Sequence, residues 1–188
     1  RRPDASTKWA IAGRNAAKLA EVKAAVARIA PSLANLEVIV CDSSDKATLL
    51  SVVAKTRVVI TTVGPYFALG RELASACAET GTDYCDLTGE VPFVRASIDA
   101  NHAIALKNQA RIVHCCGFDS IPSDLGVFMV HEHLRNEDHR ALAKATSFFV
   151  MKGGFSGGTV ASMMTLLEAG AKDKGIRRLM VDPYALTP

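Results

Sequence analysis

Long apolar runs are missing from this sequence. None approaches the ~20 residues that a membrane-spanning helix requires, so no transmembrane segment is expected. The opening residues, R-R-P-D-A-S-T-K, are polar with no apolar stretch behind them, which is not the pattern of a secretory leader. An excess of charge of one sign is also lacking. The 22 Lys and Arg against 19 Asp and Glu leave a net +3, and the basic residues are scattered rather than striped, so an electrostatic footprint for nucleic acid is excluded. Metal spacings are absent too: neither C-x-x-C nor H-x-x-x-H occurs, and the adjacent Cys115 and Cys116 are expected on opposite faces of a strand. No nucleophile elbow or paired-carboxylate pattern stands out. The cysteines themselves, five of them and irregularly spaced, suit a reducing, cytoplasmic compartment, where a free thiol packs as a small hydrophobe.

What is present is the composition of a globular protein with a sizeable core, 49% hydrophobic and 22% charged. Short β-branched or apolar runs alternate with stretches of helical periodicity. Strands are predicted over residues 9–12, 36–41, 58–63, 84–87 and 112–116, and helices over 16–30, 46–54, 69–79, 92–108 and 123–134. Short connections between strand and helix are those of βαβ units, which cross over right-handed. The fold class is therefore α/β, a doubly wound parallel Rossmann-type sheet, with both faces covered. Past the polar bridge N-E-D-H-R the texture changes: a strand over 145–151, a glycine-rich stretch, a helix to about 170 and an irregular end. Residues 1–140 read as the sheet domain and 141–188 as the start of an incomplete α+β domain.

Polar or glycine residues end every predicted strand: Gly13-Arg14, Asp42, Gly64-Pro65-Tyr66, Thr88-Gly89-Glu90 and Gly117-Phe118-Asp119. A parallel sheet sets all five along one edge, which makes a ligand-binding rim. Arg14 is the most informative of them. An arginine at a strand end suits a dinucleotide's 2′-phosphate, which its planar fork grips with two hydrogen bonds, and so points to NADP rather than NAD. Asp42 would border the adenine or cap a helix. Asp119 and Ser120 can cap or bind. His114, inside a strand, is expected to be a satisfied buried histidine, with a general-acid role as the alternative. A sheet of this kind also needs a first strand and a glycine-rich turn for the pyrophosphate. Nothing ahead of Trp9 supplies them, so the sheet is expected to lack its first strand and glycine-rich loop, as an N-terminally truncated piece would.

Four ordered motifs carry a resemblance: A-G-R-N at 12–15, T-V-G-P-Y at 62–66, D-L-T-G-E at 86–90 and G-F-D-S-I-P-S-D-L-G at 117–126. Together they resemble the saccharopine dehydrogenase-like oxidoreductases, and within them the trans-acting enoyl reductase branch. S-G-G-T-V-A-S at 156–162 and D-P-Y-A-L at 182–186 look like that branch as well. The resemblance implies a Rossmann domain that binds NADP, or NAD, joined to a substrate domain formed by later sequence. Carried over by motif, Arg14 would meet the 2′-phosphate, and Val63, Gly64, Pro65 and Tyr66 would line the path from ribose to nicotinamide. Gly89, Glu90, Phe118 and Asp119 would face the nicotinamide or the substrate. Tyr66 and Asp119 are the catalytic candidates, one able to donate to a developing anion, the other able to orient the reacting groups.

The implied activity is hydride transfer to an enoyl or carbonyl group of a small or lipid-linked substrate. A saccharopine-type amino-acid dehydrogenase is the enzymatic alternative. A non-catalytic Rossmann-like module for interaction or lipid association is the alternative of a different class. Peripheral membrane association and a homodimer are compatible with each.

Overall fold

A computed structural model describes residues 7–150 and 152–187. The described residues form five short strands and eight helices, strands and helices alternating as far as α6. Strand β1 (Ala10–Gly13) leads to α1 (Ala16–Ile29), a 3-10 turn (Pro31–Leu33) and β2 (Glu37–Val40). Helix α2 (Lys46–Val53), β3 (Val58–Thr61), α3 (Tyr66–Leu69), α4 (Arg71–Thr80) and β4 (Asp83–Asp86) follow. Then come α5 (Val91–Asn108), β5 (Ile112–Val113), α6 (Ile121–Glu137), α7 (Gly157–Lys172) and α8 (Lys174–Val181).

Side-chain caps start four of the helices. Asn15 accepts from the Lys18 N–H, Asp45 from Ala47 and Thr48, Ser156 from Thr159, and Asp173 from Gly175 and Ile176. Each such cap is worth about 1 kcal/mol. Ser120, at the start of α6, makes no cap bond through its side chain.

All strand pairs are parallel, as the βαβ pattern requires, and they form two sheets of order β1-β2 and β3-β4-β5. Among the described residues β1 and β3 pair on one side only. In the larger sheet Val59, Tyr84 and Ile112 lie in one row, and Ile60, Cys85 and Val113 in the next. The first row is covered. Leu49, Val53, Ala74, Ala76, Cys77 and Tyr84 make the main core, with Val59 and Ile112 packed against it. The second row is open: Ile60 is 76% exposed and Val113 49%. Both faces were expected to be covered. In the described residues α2 and α4 supply the cover on one side, and nothing lies on the other.

Three local readings are corrected. The helix expected over 69–79 is α4, starting at Arg71, and it is preceded by the unexpected short α3; at Gly70 between them a Cβ would come within 2.9 Å of the Phe93 ring and of the Tyr66 carbonyl oxygen. No strand forms over residues 145–150, and Met151 lies outside the described residues. Phe148 and Val150 there are over 90% exposed. An extended apolar run becomes a strand only when a neighbour takes its backbone hydrogen bonds, and none is at hand among the described residues. Between the expected helix and the irregular end, where no element was expected, the chain forms α8, and residues 183–186 are turns. Helix α7 packs on α3 and α8 on α5, and Leu186 joins the second core cluster of Tyr66, Phe93 and Val94. The segment expected to begin a second domain thus folds back onto the first.

Gly81 ends α4 in the left-handed region, φ 75°, and a Cβ there would stand 2.8 Å from the Asn108 carbonyl oxygen. Both strain and clash follow from any larger residue. Gly81→Ala is therefore expected to destabilise the protein by about 2 kcal/mol, measured as a lower denaturant midpoint at unchanged slope.

Candidate functional site

The carboxyl ends of β1 and β2 are held side by side, with Gly13 opposite Val40 and the Cys41 N–H donating to the Gly13 carbonyl at 3.0 Å. Arg14 and Asp42 follow directly, both exposed. The Asp42 carboxylate accepts the Ser44 N–H at 2.9 Å and the Ser44 hydroxyl at 2.7 Å. Those two bonds, and to a smaller extent the Arg14 charge, hold it below the usual carboxylate range. It closes a turn of its own; the cap of α2 is Asp45. Arg14 makes no hydrogen bond or ion pair among the described residues, so its fork is free for an anion.

Beyond β3, Val63 is 46% exposed and Gly64 is exposed, with Pro65 half-buried. A Cβ on Gly64 would lie 3.6 Å from the Ser162 hydroxyl of α7. This brings to the rim a serine given no role in the sequence. Tyr66 opens α3 and turns inward. It is 4% exposed, and its hydroxyl donates to the Thr61 carbonyl at 3.1 Å. Burial pushes the phenol up to about 12. Glu90 is buried as well. Its two oxygens accept the Tyr66 N–H at 2.9 Å and the Phe67 N–H at 2.7 Å, satisfying the free donors of that helix N-terminus. These two residues therefore brace the β3 turn against the β4 turn, and neither reaches open space.

At the ends of β4 and β5 a buried carboxylate binds two turns together. Asp86 Oδ2 accepts the Tyr84 hydroxyl at 2.9 Å and meets His114 Nδ1 at 2.6 Å. Oδ1 accepts the N–H groups of Thr88 and Cys115, both at 3.1 Å, and the Asp86 carbonyl accepts the Cys116 N–H at 2.7 Å. Cys115 adopts φ 61° to place those successive N–H groups, a left-handed conformation that non-glycine residues adopt at some cost. The turns also touch sterically, since a Cβ on Gly117 would lie 2.9 Å from the Leu87 Cβ. As a result the Asp119 carboxylate comes to 3.9 Å from where a Gly89 Cβ would be. Asp119 is exposed, caps no helix and makes no hydrogen bond among the described residues; Phe118 beside it is 78% exposed.

Behind this clasp the polar groups continue inward. Burial raises the Asp86 carboxyl, but bonds and charge from His114, with the Thr88 N–H and Tyr84 hydroxyl, outweigh it and leave the group below its ordinary value. Ionised, Asp86 can only accept, so His114 carries its proton on Nδ1. His114 Nε2 lies 2.9 Å from the Ser97 hydroxyl, which accepts from the Asn101 amide at 3.3 Å, and Asn101 Oδ1 accepts the Ser75 hydroxyl at 3.0 Å. The order Asp-His-Ser has the look of a nucleophilic triad. Ser97 lies within α5, however, 4% exposed and committed on both sides, so the row is a relay that joins β4, β5, α5 and α4. His114 is thus a satisfied buried histidine. Its partners sit 28 and 17 residues away, too far along the chain for local patterning to reveal. Asp86 was readable only as the acidic end of an apolar strand.

Comparisons with known proteins fit this arrangement. Residues 1–114 match the family described as the saccharopine dehydrogenase NADP binding domain. The Mycobacterium tuberculosis protein Rv2449c, named as a candidate trans-acting enoyl reductase, is 45% identical over 181 residues, which is 95% of this chain and 42% of that protein. The trans-acting enoyl reductase of Mycobacterium leprae is 39% identical over 187 residues, 98% of this chain and 44% of its own length. The chain thus spans less than half the length of these relatives. Among solved structures, apo histidine-tagged saccharopine dehydrogenase (L-Glu forming) from Saccharomyces cerevisiae shares the fold, with a TM-score of 0.54 at 19% identity over 72% of this chain and 27% of that one. The chain belongs to the saccharopine dehydrogenase NADP-binding domain family.

A carboxylate held below its ordinary value contributes stability that is full above the unfolded value of about 3.9 and is lost as pH falls through the folded one. The Asp86 contribution should accordingly fade below about pH 4. Asp86→Asn is expected to cost about 3 kcal/mol at pH 7, the scale of a broken buried pair. Denaturation midpoints measured from pH 7 to pH 3 should drop more steeply for the wild type than for this variant.

Proposed function

We propose that this chain is the cofactor-binding part of an NADP-dependent oxidoreductase. In the complete protein, hydride would pass to an enoyl or carbonyl group of a small or lipid-linked substrate. The reading is carried by the exposed Arg14 at the carboxyl end of β1, whose fork makes no bond among the described residues. The names of the relatives, trans-acting enoyl reductases, favour the enoyl group.

The residues present fit much of the cofactor. Arg14 would hold the 2′-phosphate through two hydrogen bonds, and the exposed Asp42 would border the adenine. Val63, Gly64 and Pro65 would line the path toward the nicotinamide, with Gly89 leaving room for the ring because it projects no side chain. A pyrophosphate cradle is not found among the described residues. When bound, the reduced cofactor supplies the hydride. The exposed Phe118 ring would cover the nicotinamide side and exclude water. Asp119, as an acceptor, would orient the carboxamide N–H groups or a donor on the substrate. Tyr66 and Glu90 would act from behind, fixing the turn that carries Gly64 and Pro65. Tyr66 could serve as proton donor only by giving up its bond to Thr61. The saccharopine-type alternative, oxidation of an amino-acid-linked amine, has the family description in its favour. All five cysteines are free, in keeping with the cytoplasm as the site of action. No helix among the described residues is long and apolar enough to cross a membrane.

Fluorescence titration of the complete protein with NADPH and NADH tests the reading. NADPH should bind the more tightly, and failure to bind either would favour the non-catalytic module. Arg14→Ala should weaken NADPH roughly tenfold or more, since hydrogen bonds to a charged group are worth about 1.5–3 kcal/mol, and leave NADH within about twofold. Equal losses for both would remove the 2′-phosphate assignment.

A further inference from the structure

The Asp86 cluster does more than fill the core. Glu90 ties the β4 turn to the turn that opens α3, whereas Asp86 ties the turns that carry Gly89 and Asp119 to each other. One oxygen takes the N–H of Thr88, next to Gly89, and the N–H of Cys115, which leads into Gly117-Phe118-Asp119. The other oxygen is held by Tyr84 and His114. With the side chain fully enclosed, no water competes for these bonds, so their geometry is set by the protein alone. The spacing between the Gly89 turn and the Asp119 carboxylate then depends on this group, together with the Cys116 N–H bond to the Asp86 carbonyl and the close approach of Gly117 to Leu87. A displacement of about 1 Å in such a spacing is enough to slow a reaction a hundredfold.

We propose that Asp86, oriented by His114, is a positioning residue that sets Asp119 against the Gly89 turn and so fixes where the reduced nicotinamide sits. The proposal rests on the NADP-binding reading above. Asp86 touches neither cofactor nor substrate, and it acts through Asp119. His114 controls the carboxylate through the Nδ1 donor, while its Nε2 side is anchored by Ser97 and Asn101.

The test uses the complete protein and NADPH, reading both the affinity and the emission of the bound reduced cofactor, which reports the nicotinamide's surroundings. Asp86→Asn is expected to keep the dissociation constant within about threefold, because Arg14 is untouched, while the bound emission moves most of the way to that of free NADPH. Adding Asp119→Asn to it should cause no further spectral change, the non-additivity expected of residues that act as a unit. His114→Asn keeps a donor where Nδ1 stands and should retain the wild-type emission; His114→Phe should lose it. Should Asp86→Asn show no cooperative unfolding transition, the two His114 variants decide. The proposal is overturned by wild-type emission in Asp86→Asn and His114→Phe, by additive spectral losses with Asp119→Asn, or by equal damage from both His114 substitutions. Wild-type protein that binds NADPH with these outcomes sinks the positioning role alone. Wild-type protein that does not bind NADPH overturns the cofactor reading, and the positioning role with it.

Discussion

A carboxylate taken out of water must be met by hydrogen bonds from every side or it destabilises the fold. Asp86 meets that demand with two side chains and two backbone N–H groups, drawn from the ends of β4 and β5. The requirement runs outward from there. Satisfying it forces Cys115 into a left-handed backbone, brings Gly117 against Leu87 so closely that a side chain would clash, and anchors His114 on α5. Glu90 imposes a similar demand one turn away, where its buried oxygens close the N-terminus of α3. The ends of β3, β4 and β5 are therefore shaped from beneath by two buried acids, and the exposed Phe118 and Asp119 stand on a surface they do not build.

The alternation of strands and helices was legible because covered strands and amphipathic helices leave different periods in a sequence, and caps such as Asn15 and Asp45 mark where one gives way to the other. What escaped detection depends on partners distant in the chain. Gly70, between α3 and α4, has no room for a side chain because Phe93 packs there. The apolar run over 145–150 has the local properties of a strand and pairs with no strand among the described residues. Helix α8 is short and follows α7 with only Asp173 between them, so its own period is hard to separate from the preceding one.

The candidate site divides along the same line. Strand-end position alone singled out Arg14, Asp42, Gly64, Gly89 and Asp119 as candidates, on the expectation of one parallel sheet with its carboxyl ends on one side. Whether a side chain at the rim points out or in is decided by what lies beneath it. Tyr66 and Glu90 look as suitable as Asp119 in the sequence, yet they face inward because α3 and the β3 turn need a phenol and a carboxylate there. Motifs such as T-V-G-P-Y and D-L-T-G-E thus mix groups that meet a ligand with groups that hold the chain.

The division into β1-β2 and β3-β4-β5 bears on how the chain acquires its structure. Within each sheet every hydrogen-bonded pair joins strands that are consecutive in sequence, so each can close over a single intervening helical crossover at modest loop entropy. The larger sheet brings its own core of Leu49, Val53, Cys77 and Tyr84 with it. It can form as a cooperative unit by itself, with β1 and β2 closing over α1 in a step of their own. The β4 and β5 turns and the Arg14 turn would then take shape independently of one another.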